Sequence, residues 1–106
     1  MLKGIHHVAL ICSDYPVSKH FYTDILGLSV IAENYREARK SYKCDLALPD
    51  GGQLELFSFP GAPARPSRPE AQGLRHLAFR VDVVLYEQFK CVVFHAYLNV
   101  TAYRST

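Results

Sequence analysis

The sequence contains no tryptophan, a single methionine and only three cysteines among its 106 residues. The cysteines, at positions 12, 44 and 91, lie far apart and form no CxxC pair. Their number and spacing favour a reduced, cytoplasmic protein. The sequence also has no glycine-rich phosphate loop, no nucleophile elbow and no HExxH stretch, so no local motif assigns a reaction.

Long apolar runs and long charged runs are both absent. The longest apolar stretch near the N-terminus covers residues 8–12, which is too short for a signal peptide or a membrane span. Lys plus Arg number 12 and Asp plus Glu number 10, and the basic residues form no long run, so neither nucleic acid nor a membrane is an expected partner. With 49% hydrophobic residues, the chain fits one small globular domain over residues 1–106.

A seven-residue segment occurs twice in similar form, with the two copies 69 positions apart. Residues 4–10 read GIHHVAL and residues 73–79 read GLRHLAF. The offset places His7 on His76, which indicates that one supersecondary unit was duplicated. Both copies alternate in polarity as strands do, and each carries its histidine and a small alanine on the less apolar face. We therefore predict two related strands with one histidine each.

A strand over residues 4–12 and an amphipathic helix over residues 15–26 are predicted to open the fold. Residues 13–14 offer an N-cap, and Pro16 suits the first turn of a helix. Gly27 supplies a left-handed stop after the last turn.

The predicted helix repeats apolar side chains at four-residue steps, at Val17, Phe21 and Ile25. We expect these three residues to form its buried face. Their expected partners are the apolar strand positions Val8, Leu10, Leu54 and Leu56.

Three further strands are predicted, over residues 28–35, 41–48 and 53–59. Residues 49–52 read PDGG, a turn that should join the last two of these strands as a hairpin. The charged residues 36–40 are interpreted as a solvated cluster and not as a substrate clamp. Residues 60–72 contain four prolines and form a connection, and residues 83–106 fit a helix or a strand.

Three side chains on the predicted strands could carry chemistry: His7, Glu55 and His76. Two histidines and a carboxylate form a ligand set used for Zn, Ni, Fe and Mn, with open positions for substrate or water. These residues lie far apart in the sequence and form no short metal-binding motif, so a packed or surface role for the histidines stays open. Glu55 is more informative, because a charge between two leucines must face solvent, a partner or a metal ion. His6 alternates onto the other strand face and is interpreted as structural or exposed.

Taken in order, these phrases resemble the glyoxalase / vicinal-oxygen-chelate family. The matching stretches are IHHVAL at residues 5–10, FYTDILGL at 21–28, LELF at 54–57 and GLRHLAFRVD at 73–82. The stretch RPSRPE at residues 65–70 is similar to a small bacterial glyoxalase-like branch of the family.

The resemblance implies an α+β fold of the glyoxalase-like βαβββ type. Family members pair two such modules into a cupped sheet that holds a divalent metal ion. In this chain we expect one complete module and the first strand of a second. The expected ranges are residues 4–59 for the first module, 60–72 for the linker and 73–106 for the incomplete second module.

The resemblance also implies roles for particular residues. His7 and Glu55 would be metal ligands from the first module, and His76 the first ligand from the second, with Zn, Ni, Fe or Mn as the metal. Phe57 and Arg80, which share strand faces with these ligands, are expected to contact a small-molecule substrate. No residue is assigned as the catalytic base.

The implied function is that of a metal-dependent lyase or isomerase, similar to lactoylglutathione lyase, acting on a small carbonyl compound or thiol adduct. A ring-cleaving dioxygenase and a non-catalytic binding protein or inactive remnant are the alternatives. The 69-residue offset places a partner for Glu55 at position 124, beyond residue 106, so we expect impaired activity. An incomplete second module would leave a sheet edge uncovered, and we therefore expect a homodimer.

Overall fold

The computed structural model describes residues 1–66, 68–82 and 100–104. Its contacts divide the chain into two units, Met1–Pro63 and Ala64–Thr106. The division falls within the proline-containing stretch that the sequence predicts as a connection. None of the described helices is long and apolar enough to cross a membrane.

The first unit is a βαβββ module, which confirms the predicted fold class. Its elements are β1 (His7–Cys12), α1 (Tyr15–His20), a π-helical segment (Phe21–Ile25), β2 (Ser29–Arg36), a 3-10 turn (Glu37–Arg39), β3 (Ser41–Ala47) and β4 (Gln53–Ser58). The four strands form one sheet in the order β1-β4-β3-β2. β1 pairs with β4 in parallel, and the other two pairings are antiparallel.

The helix begins and ends where the sequence predicts. The Asp14 carboxylate accepts a hydrogen bond from the Val17 amide at 3.2 Å, which satisfies one of the free amides of the first turn. The second half of the helix widens into a π turn, in which the Leu26 amide donates to the Phe21 carbonyl at 2.9 Å. Gly27 then adopts a φ of 80°, and its amide donates to the Thr23 carbonyl at 3.0 Å.

The buried face of this helix differs from the predicted one. Tyr15, Ser18 and Tyr22 are buried, whereas Val17 is 55% exposed. Each four-residue step rotates a side chain by about 40° around an α-helix, so a run of such steps drifts off one face. The buried residues Tyr15, Ser18 and Tyr22 are spaced by three and then four residues. These two steps rotate in opposite directions, so the three side chains stay on one face of the helix. The prediction that Val17, Phe21 and Ile25 form the buried face is therefore wrong for Val17, and Phe21 and Ile25 are only half-buried.

The helix covers one face of the sheet, which we call the core face. We call the opposite face the open face. The core face carries the buried side chains Leu10, Cys12, Cys44, Leu46, Leu54 and Leu56. The open face carries His7, Ala9 and Ile11 of β1, Lys43, Asp45 and Ala47 of β3, and Gln53, Glu55 and Phe57 of β4. The alternation predicted for the first and fourth strands is confirmed by this arrangement.

The turn between β3 and β4 forms the predicted hairpin. The Leu48 amide donates to the Gly52 carbonyl at 2.8 Å, and the Asp50 carboxylate accepts from the Gly52 amide at 2.9 Å. Gly51 has a φ of 95°, a conformation that favours glycine.

The second unit contains β5 (Leu77–Val81) and β6 (Val100–Arg104), which pair in parallel. β5 is the predicted second copy of the repeated strand, and β6 is a strand that the sequence left undecided. The register sets Ala78 opposite Thr101, as Ala9 of β1 stands opposite Glu55 of β4. β6 therefore carries a threonine at the position where β4 carries its carboxylate. Residues 83–99, also undecided between helix and strand, lie outside the described residues.

A polar network ties the helix to β2. The Tyr15 hydroxyl donates to a Glu33 carboxylate oxygen, Oε2, and the Lys19 ammonium lies 2.8 Å from the same oxygen. The contact with Lys19, followed by that with Tyr15, lowers the pKa of Glu33 below its ordinary value. Burial and then the hydrogen bond to Glu33 raise the pKa of Tyr15.

We expect Glu33→Gln to remove a stabilisation that depends on pH. A carboxyl whose pKa is lower in the folded state stabilises the fold above its ordinary pKa of about 4.3 and loses that effect as the pH falls through the folded value. The difference in unfolding free energy between wild type and variant should therefore shrink below about pH 4, as measured by urea unfolding. Glu37→Gln, which changes an exposed carboxylate, is the control. A difference that stays constant down to about pH 2 would contradict this account.

We expect Tyr22→Ala to cost about 3–5 kcal/mol of unfolding free energy, because it empties a site that is only 2% exposed. Val17→Ala should cost less than about 1 kcal/mol, since that side chain is mostly in solvent. Urea unfolding of both variants measures the difference. If Val17→Ala proved the more costly change, the assignment of the buried face would be wrong.

Candidate functional site

The open face is built around Glu55, in the middle of β4. Its register neighbours are Ala9 on β1 and Asp45 on β3. The methyl group of Ala9 leaves space beside the carboxylate on one side, and a second carboxylate stands opposite it on the other. The Glu55 and Asp45 side chains are 16% and 17% exposed. This row therefore gathers negative charge on a partly shielded surface.

His7 reaches Glu55 along a diagonal of the sheet. His7 pairs in register with Gln53, so Glu55 lies two residues further along the neighbouring strand. The His7 Nε2 and Glu55 Oε2 atoms are 3.7 Å apart. That distance is too long for a hydrogen bond and is close to the roughly 3.0–3.4 Å that separates two donor atoms on one metal ion. An imidazole nitrogen and a carboxylate oxygen so placed can serve as two ligands of a divalent metal.

His6 is exposed, in agreement with its interpretation as a structural or exposed residue, but its ring lies beside that of His7 and not on the opposite face. The Nδ1 atoms of the two rings are 2.9 Å apart, and the rings meet edge to face with centroids 5.2 Å apart. β1 begins at His7, so strand alternation does not govern His6. The contact occupies Nδ1 of His7 and leaves Nε2 directed to Glu55. A metal-binding histidine is commonly oriented through its other nitrogen in this way.

Asp45 is a residue of the site that the sequence analysis missed. The Lys43 ammonium lies 3.2 Å from Oδ1 and 3.3 Å from Oδ2 of Asp45. Like charges directly opposite each other destabilise a sheet, and Lys43 offsets one of the two carboxylates. A signal for Asp45 was present in the sequence, because it lies between the apolar residues Cys44 and Leu46, as Glu55 lies between two leucines.

Two phenylalanines continue the open face beyond Glu55. The rings of Phe57 and Phe59 are stacked within 7° of parallel, with centroids 5.9 Å apart. The guanidinium carbon of Arg36 lies 5.5 Å from the Phe57 centroid, and that of Arg39 lies 4.7 Å from the Phe59 centroid. These are cation–π distances. Arg39 is exposed, as expected for a member of a solvated cluster, whereas Arg36 is half-buried; both also contact an aromatic ring, which the sequence did not predict.

His76 and Arg80 belong to the second unit. Both are exposed; His76 immediately precedes β5, and Arg80 lies on it. In the described ranges, no three His, Cys, Asp or Glu side chains are grouped so that they could hold a metal ion. The structure brings together His7 and Glu55 of the predicted ligands. The ligand role of His76 and the substrate contacts of Phe57 and Arg80 stay predictions.

A family model described as the Glyoxalase/Bleomycin resistance protein/Dioxygenase superfamily matches residues 4–88. The uncharacterised protein YaeR of Escherichia coli is 64% identical over 81 residues, which cover 76% of this chain and 63% of that protein. Among solved structures, a glyoxalase family protein from Enterococcus faecalis is 47% identical, with a TM-score of 0.70. The match covers 80% of this chain and 67% of the chain of that protein. These findings confirm the resemblance.

A more distant structure shares the fold alone. A mutant of the fosfomycin resistance protein FosX from Listeria monocytogenes, complexed with Mn(II), has 16% identity and a TM-score of 0.63, covering 85% of this chain and 66% of its own. The chain spans 63% of the length of the curated relatives it matches, YaeR and a Bacillus subtilis protein.

We expect Lys43→Met to lower stability by about 0.5–1 kcal/mol at neutral pH and low salt, because Asp45 and Glu55 would then face each other without a nearby cation. The second variant, Lys43→Met with Asp45→Asn, should recover most of the loss. Urea unfolding of the two variants and the wild type measures both effects. If the double variant were no more stable than Lys43→Met alone, repulsion between the carboxylates would not be the cause.

Proposed function

We propose, because the chain belongs to the Glyoxalase/Bleomycin resistance protein/Dioxygenase superfamily, that it contributes to a divalent-metal site for lyase or isomerase chemistry on a small carbonyl compound. The superfamily includes glyoxalases, fosfomycin resistance enzymes and dioxygenases, and its members typically use divalent metals. The observation that carries the proposal is the pairing of His7 with Glu55 on the open face.

The residues present fit a metal ion of the Zn, Ni, Fe or Mn group. His7 would offer Nε2, with its Nδ1 engaged by His6, and Glu55 would offer a carboxylate oxygen. His76 is the further ligand that the sequence predicts. Nitrogen and oxygen donors of this kind suit those metals. When bound, the metal would act as a Lewis acid that stabilises negative charge on a substrate oxygen.

Two adjacent carboxylates allow a division of roles. Glu55 faces His7 and suits ligation, while Asp45 is held by Lys43 one strand away. Asp45, which is not needed as a ligand in this arrangement, would accept a proton from a carbon next to the polarised carbonyl and return it to the neighbouring carbon, with Lys43 holding the carboxylate in place. Proton transfer by a positioned side chain contributes typically about 10²–10⁴-fold in rate.

A homodimer is part of the proposal. β1 and β2 are the two edges of the four-stranded sheet. β2 also presents apolar side chains to solvent, with Val30 and Ile31 at 44% and 52% exposure. Exposed edges with apolar side chains favour pairing with a second copy, and superfamily members usually form dimers.

We expect His7→Ala and Glu55→Gln each to weaken Ni²⁺ or Zn²⁺ binding by at least about tenfold, as measured by isothermal titration calorimetry. Turnover of the methylglyoxal–2-mercaptoethanol hemithioacetal should fall by about 10²-fold or more in the same variants. Asp45→Asn should reduce turnover with little change in metal affinity. Glu37→Gln, a carboxylate outside the site, is the matched control and should leave both unchanged.

Two results would count against the proposal. Metal affinity equal to wild type in both ligand variants would remove His7 and Glu55 from the site. Oxygen consumption with a catechol by the Fe(II)-loaded protein, without hemithioacetal turnover, would replace the proposed reaction with ring cleavage.

A further inference from the structure

The stacked rings of Phe57 and Phe59 provide a platform on the same face as Glu55. Phe57 follows Glu55 by two residues on β4, so its side chain points to the same side of the sheet. Phe59 lies just beyond the strand, and its ring stacks on that of Phe57. The two rings therefore extend the open face away from the His7–Glu55 pair.

Two arginines from the β2 edge of the sheet lie over these rings. Arg36 is the last residue of β2 and pairs in register with Ser41 of β3. Arg39 lies in the 3-10 turn that follows. Although they come from different elements, each guanidinium lies over one ring of the stacked pair. Two positive charges are thereby held on adjoining rings.

These two arginines lack an acidic partner within the described part of the chain. Lys19 and Lys43, which belong to the same sheet and helix, are by contrast paired with Glu33 and Asp45. The Nε atom of Arg36 is buried and has no hydrogen-bond partner among the described residues. A buried donor left without an acceptor is costly, so this atom marks a place where an acceptor is missing.

The orientation over a ring leaves the terminal Nη donors of a guanidinium available. The aromatic face contacts the flat side of the group, whereas its N–H bonds lie in the plane and point outward. Such an edge recognises a carboxylate or a phosphate through two parallel hydrogen bonds. The rings therefore hold the arginines without using the groups that would bind an oxyanion.

We propose that Arg36 and Arg39, held on Phe57 and Phe59, form a subsite for an oxyanion group of the substrate. This inference rests on the proposed function, because it places the anion next to the His7–Glu55 pair. A step of two residues along a strand covers about 7 Å, so the Glu55 and Phe57 backbone positions are separated by about that distance. The substrate class is thus a carbonyl compound or thiol adduct that carries a carboxylate or phosphate several bonds from its reacting carbonyl.

The first experiment tests anion binding without metal or turnover. Inorganic phosphate is titrated into the metal-free, ¹⁵N-labelled chain, and the arginine Nε–H signals are followed by NMR. We expect a saturable shift of the Arg36 signal. Arg39→Gln should weaken phosphate binding by about tenfold, since it removes charge-assisted hydrogen bonds. Lys40→Gln removes the same charge from the same turn and should weaken binding less than about twofold.

Arg36→Gln and Arg36→Lys complete the series. Arg36→Lys retains the charge but loses the planar fork, so its affinity for phosphate should lie between those of wild type and Arg36→Gln. Equal weakening by Lys40→Gln and Arg39→Gln would show general charge attraction and overturn the subsite. A linear, non-saturating shift of the Arg36 signal would overturn it as well.

A second experiment connects the subsite to substrate choice. The methylglyoxal adduct of 3-mercaptopropionate carries a carboxylate, and the adduct of 2-mercaptoethanol does not. Arg36→Gln and Arg39→Gln should raise KM for the charged adduct by about tenfold and leave that of the neutral adduct nearly unchanged. Equal effects on both adducts would overturn the subsite while the proposed function stands. Phosphate binding that depends on both arginines, without turnover of either adduct, would support the subsite while the proposed function fails.

Discussion

The pairing of β1 with β4 is the interaction on which the rest of the first unit depends. β4 lies between β1 and β3, and its alternation sends Leu54 and Leu56 into the core while Glu55 and Phe57 face the other way. A shift of one residue in this register would exchange the two faces, burying a carboxylate and exposing two leucines. The same hydrophobic pattern that stabilises the sheet therefore sets the position of the candidate ligands.

Much of the fold could be predicted because the deciding signals are local. Strand alternation, the Asp14 cap, the Gly27 stop and the turn before β4 each depend on a few neighbouring residues. The buried face of the helix could not be predicted, since regular four-residue spacing is ambiguous over so short a segment. The π turn changes the periodicity within that segment, and no sequence pattern described above predicts it.

The residues of the candidate site could be predicted only where the alternation within a single strand sets the direction of their side chains. His7 and Glu55 followed from alternation, together with the family resemblance. The parts that were missed arise between elements: Asp45 through cross-strand register and Arg36 through its contact with Phe57. The contact of His6 with His7 could not be predicted, because β1 begins at His7 and not at residue 4, so strand alternation does not set the direction of the His6 side chain. Such relations appear only once the strands are ordered and aligned.

The position of β1 at the edge of the sheet has a consequence for folding kinetics. β2, β3 and β4 follow one another along the chain and can pair through short loops, whereas β1 must close a long loop to reach β4. The three-stranded meander should therefore assemble first, and the histidine should meet its carboxylate only when the N-terminal strand docks. Because β1 pairs with one neighbour among the described strands, it can also detach while the meander persists. Amide protons of β1 should then exchange with solvent faster than those of β3, so that the ligand pair forms and separates within an otherwise folded unit.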